Sequence, residues 1–359
     1  MKTYRAAVIG LSGIGSGRPT PRQPYPTLGI SWPHSHVAAY HAYPGTEVAA
    51  VCDIKEEALE QFEATWGGTL PGAGTYTDHR ELLAAARPDL LSVVTSDHRH
   101  AQIVIDAAEA GVKAILCEKP IATTVAEARR MIEVCERRGT ALTVNHSRRW
   151  RPHWVHARSL VGEGTQLGAV KRIAGSWVGD RAMLFRNGGH LVDTVNWFAG
   201  AAPDWVVGIL DAEHAAHPPR YAGDGGRDPA TDPGGSGLVR YENDVRAFIN
   251  CSKGATGGGV ELEVFCERGH LRVDDVSAFI GHVPAGTSSH QRSWAVVPAT
   301  VTSLGETPAA IAELIACVEE GRAPRYTAQE ASLAPAVILG MLQSNAGGHA
   351  PVRFPIEDV

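Results

Sequence analysis

Over its first 146 residues the chain alternates apolar, β-branched runs with stretches of helical period. The runs Tyr4–Gly10, Glu47–Ile54, Leu90–Ser96, Ala114–Pro120 and Ala141–His146 read as strands, and Lys55–Trp66, His98–Ala110 and Val125–Arg138 as helices between them. Strands joined through helices run parallel, with right-handed crossovers and helices on both faces. The N-terminal part is therefore predicted to be a doubly wound parallel sheet of α/β class. Thr124, with Glu127 three residues on, gives the third helix a capping-box start.

Beyond Ala169 the runs become longer and half-polar, as in Val170–Val178, Leu238–Cys251 and Gly259–Val273, which suits a sheet with one face solvated or covered by a partner. At 359 residues the chain is about twice the usual domain length. Two domains are expected, residues 1–147 and 148–359, with an insertion at about 17–33. Pro218–Gly237 is rich in Gly and Pro, lacks hydrophobic periodicity and reads as an exposed loop. Its Asp224, Asp228 and Asp232 are not followed by the terminal Glu of an EF-hand, which argues against a calcium loop.

A formal net charge of −6 gives no general attraction to nucleic-acid phosphates. No run approaches the roughly 18 apolar residues of a membrane span, and the first residues lead into a strand pattern, so a cytoplasmic protein is expected. The six cysteines form no C-x-x-C pair and suggest neither a zinc knuckle nor a disulfide framework. His34, His36 and His41 have no carboxylate or thiol at ligand spacing, so no metal site is assigned.

The first strand runs into Gly10-Leu11-Ser12-Gly13-Ile14-Gly15, a dinucleotide fingerprint with serine in place of the second glycine. Gly10 permits the tight turn, Ser12 is small enough for a pyrophosphate to approach, and Gly15 permits close packing. Asp53 ends the second strand, where an adenosine ribose presents its hydroxyls; its charge repels a 2′-phosphate, so NAD is favoured over NADP. Lys55 softens that preference. Gly17–Pro33, with five prolines, interrupts the expected helix and stretches the spacing from Gly15 to Asp53 beyond the usual roughly 20 residues. A loop beside the cofactor or substrate mouth and a plain surface excursion are both open readings of it.

Cys117-Glu118-Lys119-Pro120 closes another strand at the sheet end where ligands bind. In a chain far richer in arginine than lysine, Lys119 stands out, because a partly buried lysine can take part in proton transfer whereas arginine stays charged.

Glu118-Lys119-Pro120, preceded by Thr95-Ser96-Asp97-His98-Arg99-His100 and followed by Asn145-His146-Ser147-Arg148-Arg149-Trp150-Arg151-Pro152, resembles the Gfo/Idh/MocA family of NAD(P)-dependent sugar and cyclitol dehydrogenases. Gly188-Gly189-His190-Leu191-Val192-Asp193 is similar to the family's G-x-H-x-x-D helix, and Gly321-Arg322-Ala323-Pro324 with a closing helix at Ala328–Ser344 extends the likeness nearly end to end. The resemblance implies a Rossmann domain followed by an α/β domain with an open, mixed, largely antiparallel sheet whose exposed face forms a homo-oligomer, dimer or tetramer. It implies a Lys-Pro bond that is often cis. It also implies a cofactor site at Gly10, Ser12, Gly13, Ile14, Gly15, Asp53, Thr95, Ser96, Asp97, His100, Glu118 and Lys119.

Oxidising a secondary alcohol needs a base for the hydroxyl proton and a donor for the developing oxyanion. His190 is the candidate base, Lys119 the donor, and Asp193, one helical turn past His190, the third catalytic residue. The family's usual aspartate, four residues before the histidine, is replaced by Arg186. Arg186 with Arg149 and Arg181 would clamp an anionic substrate such as a uronate, and Trp150 joins Arg149, Arg186 and His190 as a substrate-site candidate. Two alternatives stay open: an enzyme that recycles NAD while eliminating a glycosidic substituent, and a non-catalytic sensor of NAD or sugar.

Overall fold

The computed structural model describes residues 3–21, 31–254, 256–282, 293–298 and 306–358. Strands β1 (Tyr4–Ile9), β2 (Thr46–Cys52), β3 (Gly74–Tyr76), β4 (Leu90–Val93), β5 (Ala114–Cys117) and β6 (Ala141–Val144) form a sheet in the order β3-β2-β1-β4-β5-β6. Every pairing in it is parallel, as expected. Residues Ala6–Ile9, Leu90–Val93 and Ala114–Cys117 are buried throughout, which is why these strands read as continuous apolar runs. Helices α1 (His36–Ala42), α2 (Glu56–Trp66), α3 (His79–Ala86), α4 (His100–Glu109) and α5 (Val125–Arg138) lie between them. The strands stop two to three residues short of several expected ends, because the chain leaves the sheet to build loops at its carboxyl edge. β3 and α3 carried too short a pattern to be anticipated; Asp78 caps α3 by accepting from the amides of Arg80 and Glu81.

The insertion leaves the first helix in register. The amide of His36 donates to the carbonyl of Ile14 at 2.9 Å, and that of Val37 to Gly15 at 3.0 Å. His36 and Val37 thus take the places four residues on from Ile14 and Gly15 in a continuous helix. With the intervening chain discounted, Asp53 stands at the usual roughly 20 residues beyond Gly15. Thr20–Pro21 and Ser31–Trp32 pair antiparallel at the base of the excursion, and Ser35 caps α1 by accepting from the amide of Ala38. The remainder of the expected insertion, 22–30, lies outside the described residues.

Among the described residues the second sheet has nine strands. They are β7 (Val170–Val178), β8 (Pro203–Leu210), β9 (Gly235–Tyr241), β10 (Arg246–Ser252), β11 (Val260–Cys266), β12 (His270–Asp274), β13 (Ala278–His282), β14 (Ser293–Val296) and β15 (Val352–Arg353), in the order β14-β13-β12-β11-β7-β10-β9-β8-β15. Only β7 with β10 pairs parallel, so the sheet is mixed and largely antiparallel. Leu238–Cys251 and Gly259–Val273, read from sequence as single long strands, are each a hairpin. The first turns through Asp244, whose φ is +67°; alternation carries on through such tight polar turns, so the break left no mark on the pattern.

Helices α6 (Pro152–Ser159), α7 (Gly189–Ala199), α8 (Glu306–Glu320) and α9 (Ala328–Ala346) complete the described elements. A Cβ at Gly175 of β7 would meet Leu191 and Val195 of α7 within about 3.0 Å, and one at Gly208 of β8 would meet the Met341 backbone of α9 at 2.5 Å, so glycines let these helices approach the sheet. Ile209 and Phe248 stand 54% and 49% exposed on the same sheet, in keeping with an open face.

The chain divides into two compact units. One is Met1–Ala122, Glu127–Ser147 and Leu304–Ala331, and the other Thr123–Ala126, Arg148–Ser303 and Ser332–Val359. One of the breaks between the units falls after Ser147. Helix α8, assigned from sequence to the second domain, belongs to the first unit, where its apolar face packs on β5, β6 and α1.

Candidate functional site

In the first unit the strand order reverses between β1 and β4, which opens a crevice at the carboxyl ends of the strands. Gly10 turns the chain there with φ +95°, and a Cβ on it would lie 2.4 Å from the Val94 carbonyl oxygen. A Cβ on Gly15 would lie 2.2 Å from the Gly10 carbonyl oxygen, so both positions admit only glycine. Ser12, Gly13 and Ile14 are exposed along the loop between them. Asp53 follows β2; its Oδ2 accepts from the Leu11 amide at 2.9 Å and its Oδ1 from the Lys55 amide at 3.1 Å. Each oxygen keeps a further lone pair for ribose hydroxyls. A glycine cradle with no room for side chains, beside a fixed carboxylate, fits an adenine dinucleotide.

Thr95 and Ser96 are half-buried after β4, and Asp97 is 2% exposed. His100, expected at the cofactor, is instead fully buried. Its Nδ1 faces the Pro120 carbonyl at 2.8 Å and its Nε2 the Thr95 carbonyl at 3.1 Å, so it ties two loops together. The Lys119-Pro120 bond is cis, and Lys119 is 7% exposed.

Glu118 sits in a polar network that the sequence did not reveal. Its Oε1 accepts from Asn145 Nδ2 at 2.7 Å and faces His36 Nε2 at 3.1 Å. Burial pushes the Glu118 carboxyl up, but His36, Lys119 and Asn145 together hold it down at about 2. His36 Nδ1 lies 2.8 Å from Ser92 Oγ, which donates to the Tyr40 hydroxyl at 3.1 Å. Asn145 Nδ2 also reaches Thr307 Oγ1 at 3.2 Å. His36 and Tyr40 on α1, Ser92 on β4 and Thr307 on α8 come from three separate elements, so no local spacing links the whole set.

In the second unit His190 lies in the first turn of α7, half-buried, with its ring stacked on that of Trp177 at 6.4 Å and 18°. Asp193 is 1% exposed and forms a two-pronged ion pair with Arg149: Nε to Oδ2 at 3.0 Å and Nη2 to Oδ1 at 2.9 Å. The Arg149 guanidinium also lies 4.9 Å from the Trp197 ring. Arg149, expected on an anionic substrate, and Asp193, expected at the reacting hydroxyl, are therefore committed to each other in the interior. Trp150, next to Arg149 in sequence, is half-buried.

Arg186 occupies a π-helical turn, Leu184–Gly188, leading into α7. The Asp232 carboxylate accepts from the amides of Phe185 at 3.2 Å and Arg186 at 3.1 Å, and Gly226 lies against the Arg186 side chain. Arg181 donates to the Gly226 carbonyl at 2.7 Å. The acidic loop is held by its own backbone: Asp224 accepts from the amides of Arg227 and Asp228, and Asp228 from that of Ala230. Sequence reasoning also missed Arg148, which pairs with Asp275 and lies 5.1 Å from the Trp177 ring. Arg151 joins the same carboxylate at 2.8 Å. Burial pushes the Asp275 carboxyl up, but Arg148 and Arg151 leave it below its ordinary value.

Two family models match the chain end to end with one another. Residues 28–146 match the model described as "Oxidoreductase family, NAD-binding Rossmann fold", and 145–272 the one described as "GFO/IDH/MocA C-terminal domain". Together they take in more than half of the chain. The chain belongs to the Gfo/Idh/MocA family. Its fingerprint strand β1 and loop Gly10–Gly15 precede the matched stretch, on the far side of the insertion. Curated Gfo/Idh/MocA relatives include D-apiose dehydrogenase of Paraburkholderia graminis, 29% identical over 61% of this chain and 57% of its own length. Inositol 2-dehydrogenase 2 of Saccharopolyspora erythraea is 30% identical over 51% of this chain and 52% of its own length. The chain spans about half the length of the curated relatives it matches. Among solved structures, levoglucosan dehydrogenase in complex with NADH and L-sorbose is 17% identical, with a TM-score of 0.76 over 99% of this chain and 100% of that one, a likeness of fold. Among the described residues no helix is long and apolar enough to cross a membrane.

Proposed function

We propose that the chain is an NAD-dependent oxidoreductase acting on a secondary hydroxyl of a sugar, sugar acid or cyclitol, as a homo-oligomer. The observation that carries this reading is the crevice of the first unit, where the Gly10–Gly15 loop and the Asp53 carboxylate lie at the same sheet edge as Lys119. The named dehydrogenases among its relatives support it.

A nicotinamide dinucleotide, when bound, supplies the acceptor for the hydrogen and electron pair leaving the substrate carbon. Asp53 would hold the adenosine ribose and disfavour a 2′-phosphate, while the Gly10–Gly15 backbone would approach the pyrophosphate. Lys119 would donate a hydrogen bond to the reacting oxygen and stabilise its negative charge. His190 would take the hydroxyl proton on a neutral ring nitrogen. Asp193, bound to Arg149, would act by fixing the helix that carries His190. Arg186, in place of an aspartate four residues before His190, favours a substrate bearing a carboxylate or phosphate.

The test is NADH formation from NAD with aldoses, cyclitols and hexuronates, each assayed separately. Accumulating NADH with at least one class supports the reading, and a preference for acidic members supports the role of Arg186. Turnover of neutral sugars with none of acidic ones would overturn that role. Release of an aglycone from glycosides without net NADH would replace the main reading by cofactor-recycling elimination.

A further inference from the structure

Glu118 presents an unusual asymmetry. Its Oε1 accepts from the Asn145 amide at 2.7 Å and faces His36 Nε2 at 3.1 Å, while its Oε2 lies 3.4 Å from the backbone nitrogen of Lys119. The side chain is only 13% exposed, and His36 is fully buried. A carboxylate in such surroundings keeps its charge only if donors hold it. Asn145 is anchored by Thr307, and the His36 ring by Ser92 and Tyr40 behind it, so both partners of Oε1 are themselves fixed. With Oε1 filled, the plane of the carboxylate is set and its other oxygen is turned to the Lys119 side.

Lys119 is itself buried, and a buried ammonium depends on a nearby counter-charge to stay protonated. Two other titratable groups of this corner are neutral. Cys117 beside Glu118 is neutral, its thiol pushed well up by burial, and Tyr40 behind Ser92 is likewise held neutral by burial. His100 faces the Pro120 and Thr95 carbonyls, and Asp97, 2% exposed in the turn Asp97–Arg99, is a further carboxyl group at this end of the sheet. We infer that His36 is a positioning residue which, by holding Glu118 charged and oriented, sets the proton affinity of the Lys119 amine. The inference gives Lys119 a tuned protonation state and so rests on its role in the proposed reaction, but the tuning itself is measurable without any substrate.

The experiment is a pH titration of the whole protein labelled with 13C at the lysine ε-carbon, in which six lysines (Lys2, Lys55, Lys113, Lys119, Lys171 and Lys253) are followed by NMR. Lys119 is assigned with Lys119→Arg. The informative pair is His36→Gln and His36→Asn. The Gln amide reaches the place of Nε2 and can still donate to Glu118; the shorter Asn amide keeps a partner in Ser92 and falls short of the carboxylate. The expected result is a Lys119 pKa lowered by about one unit or more in the Asn variant. The Gln variant should stay within about half a unit of the parent. In a Glu118→Gln background, His36→Asn should add no further shift.

Equal Lys119 titrations in the Gln and Asn variants, or a shift that persists without Glu118, would overturn the inference. Should the Asn variant not fold, ring 15N spectra of the unaltered protein decide. A proton on His36 Nε2 at neutral pH supports the inference, and a bare Nε2 overturns it. Failure of the turnover assays with a normal Lys119 shift would sink the proposed activity alone.

Discussion

Arg149 and Asp193 are joined by two parallel hydrogen bonds, Nε to Oδ2 at 3.0 Å and Nη2 to Oδ1 at 2.9 Å, with both side chains within 5% of full burial. Residues spoken for in this way cannot also reach out to a ligand without leaving an uncompensated charge behind. Removing one member of such a pair typically costs about 3–5 kcal/mol.

Asp193→Asn should therefore lower the thermal midpoint of the second unit by several degrees before it says anything about chemistry. A paired Arg149→Met, Asp193→Leu variant should recover much of the loss, since it abolishes both charges. Calorimetry checks this. An Asp193→Asn protein with unchanged unfolding and abolished turnover would return Asp193 to the catalytic group.

Lys119→Met should leave NADH binding within a few-fold of the parent, as read by cofactor fluorescence, because the glycine loop and Asp53 are untouched. Turnover on whichever substrate the panel identifies should fall by about 10²–10⁴. Preserved turnover would remove Lys119 from the reaction.

Asp53→Ser should weaken NAD and relieve the repulsion against a 2′-phosphate, moving the NADP-to-NAD preference by about tenfold or more. Competitive titration of the two cofactors measures it. The variant also loses the contacts to the Leu11 and Lys55 amides, so NAD affinity is expected to drop even with no gain for NADP.

Glu118 makes acid stability readable. Its carboxyl is held at about 2 in the folded protein against an ordinary 4.5, so the unfolded chain binds the proton more readily. The resulting stabilisation, on the order of 3 kcal/mol, is fully present above about pH 4.5 and drains away as the pH falls through about 2. Denaturant midpoints measured between these limits should decline in the parent and decline less in Glu118→Gln.

Much of this architecture was legible in the sequence because a parallel sheet buries both faces: β1, β4 and β5 had to be unbroken apolar runs, and helices had to separate them. Gly10 and Gly15 were equally visible, since a tight turn and a close backbone approach each demand glycine at one place. The hairpins at Asp244 and at residues 267–269 were hidden because period-two alternation survives a short turn. The His36–Glu118 contact was hidden for another reason: it joins a helix to a distant strand end, and His36 was read only with His34 and His41 as a metal question. Asp193 misled because a three-residue spacing places it on the His190 side of a helix without saying that Arg149 stands opposite.

The healed register at Ile14–His36 and Gly15–Val37 bears on how such a chain came to tolerate its excursion. Because the ladder closes as though nothing intervened, the register of the helix does not depend on the added segment. A version joining Gly17 directly to His36 should retain the crevice. Grafting other peptides at that junction would then offer a way to decorate the first unit while leaving the Gly10–Gly15 loop untouched.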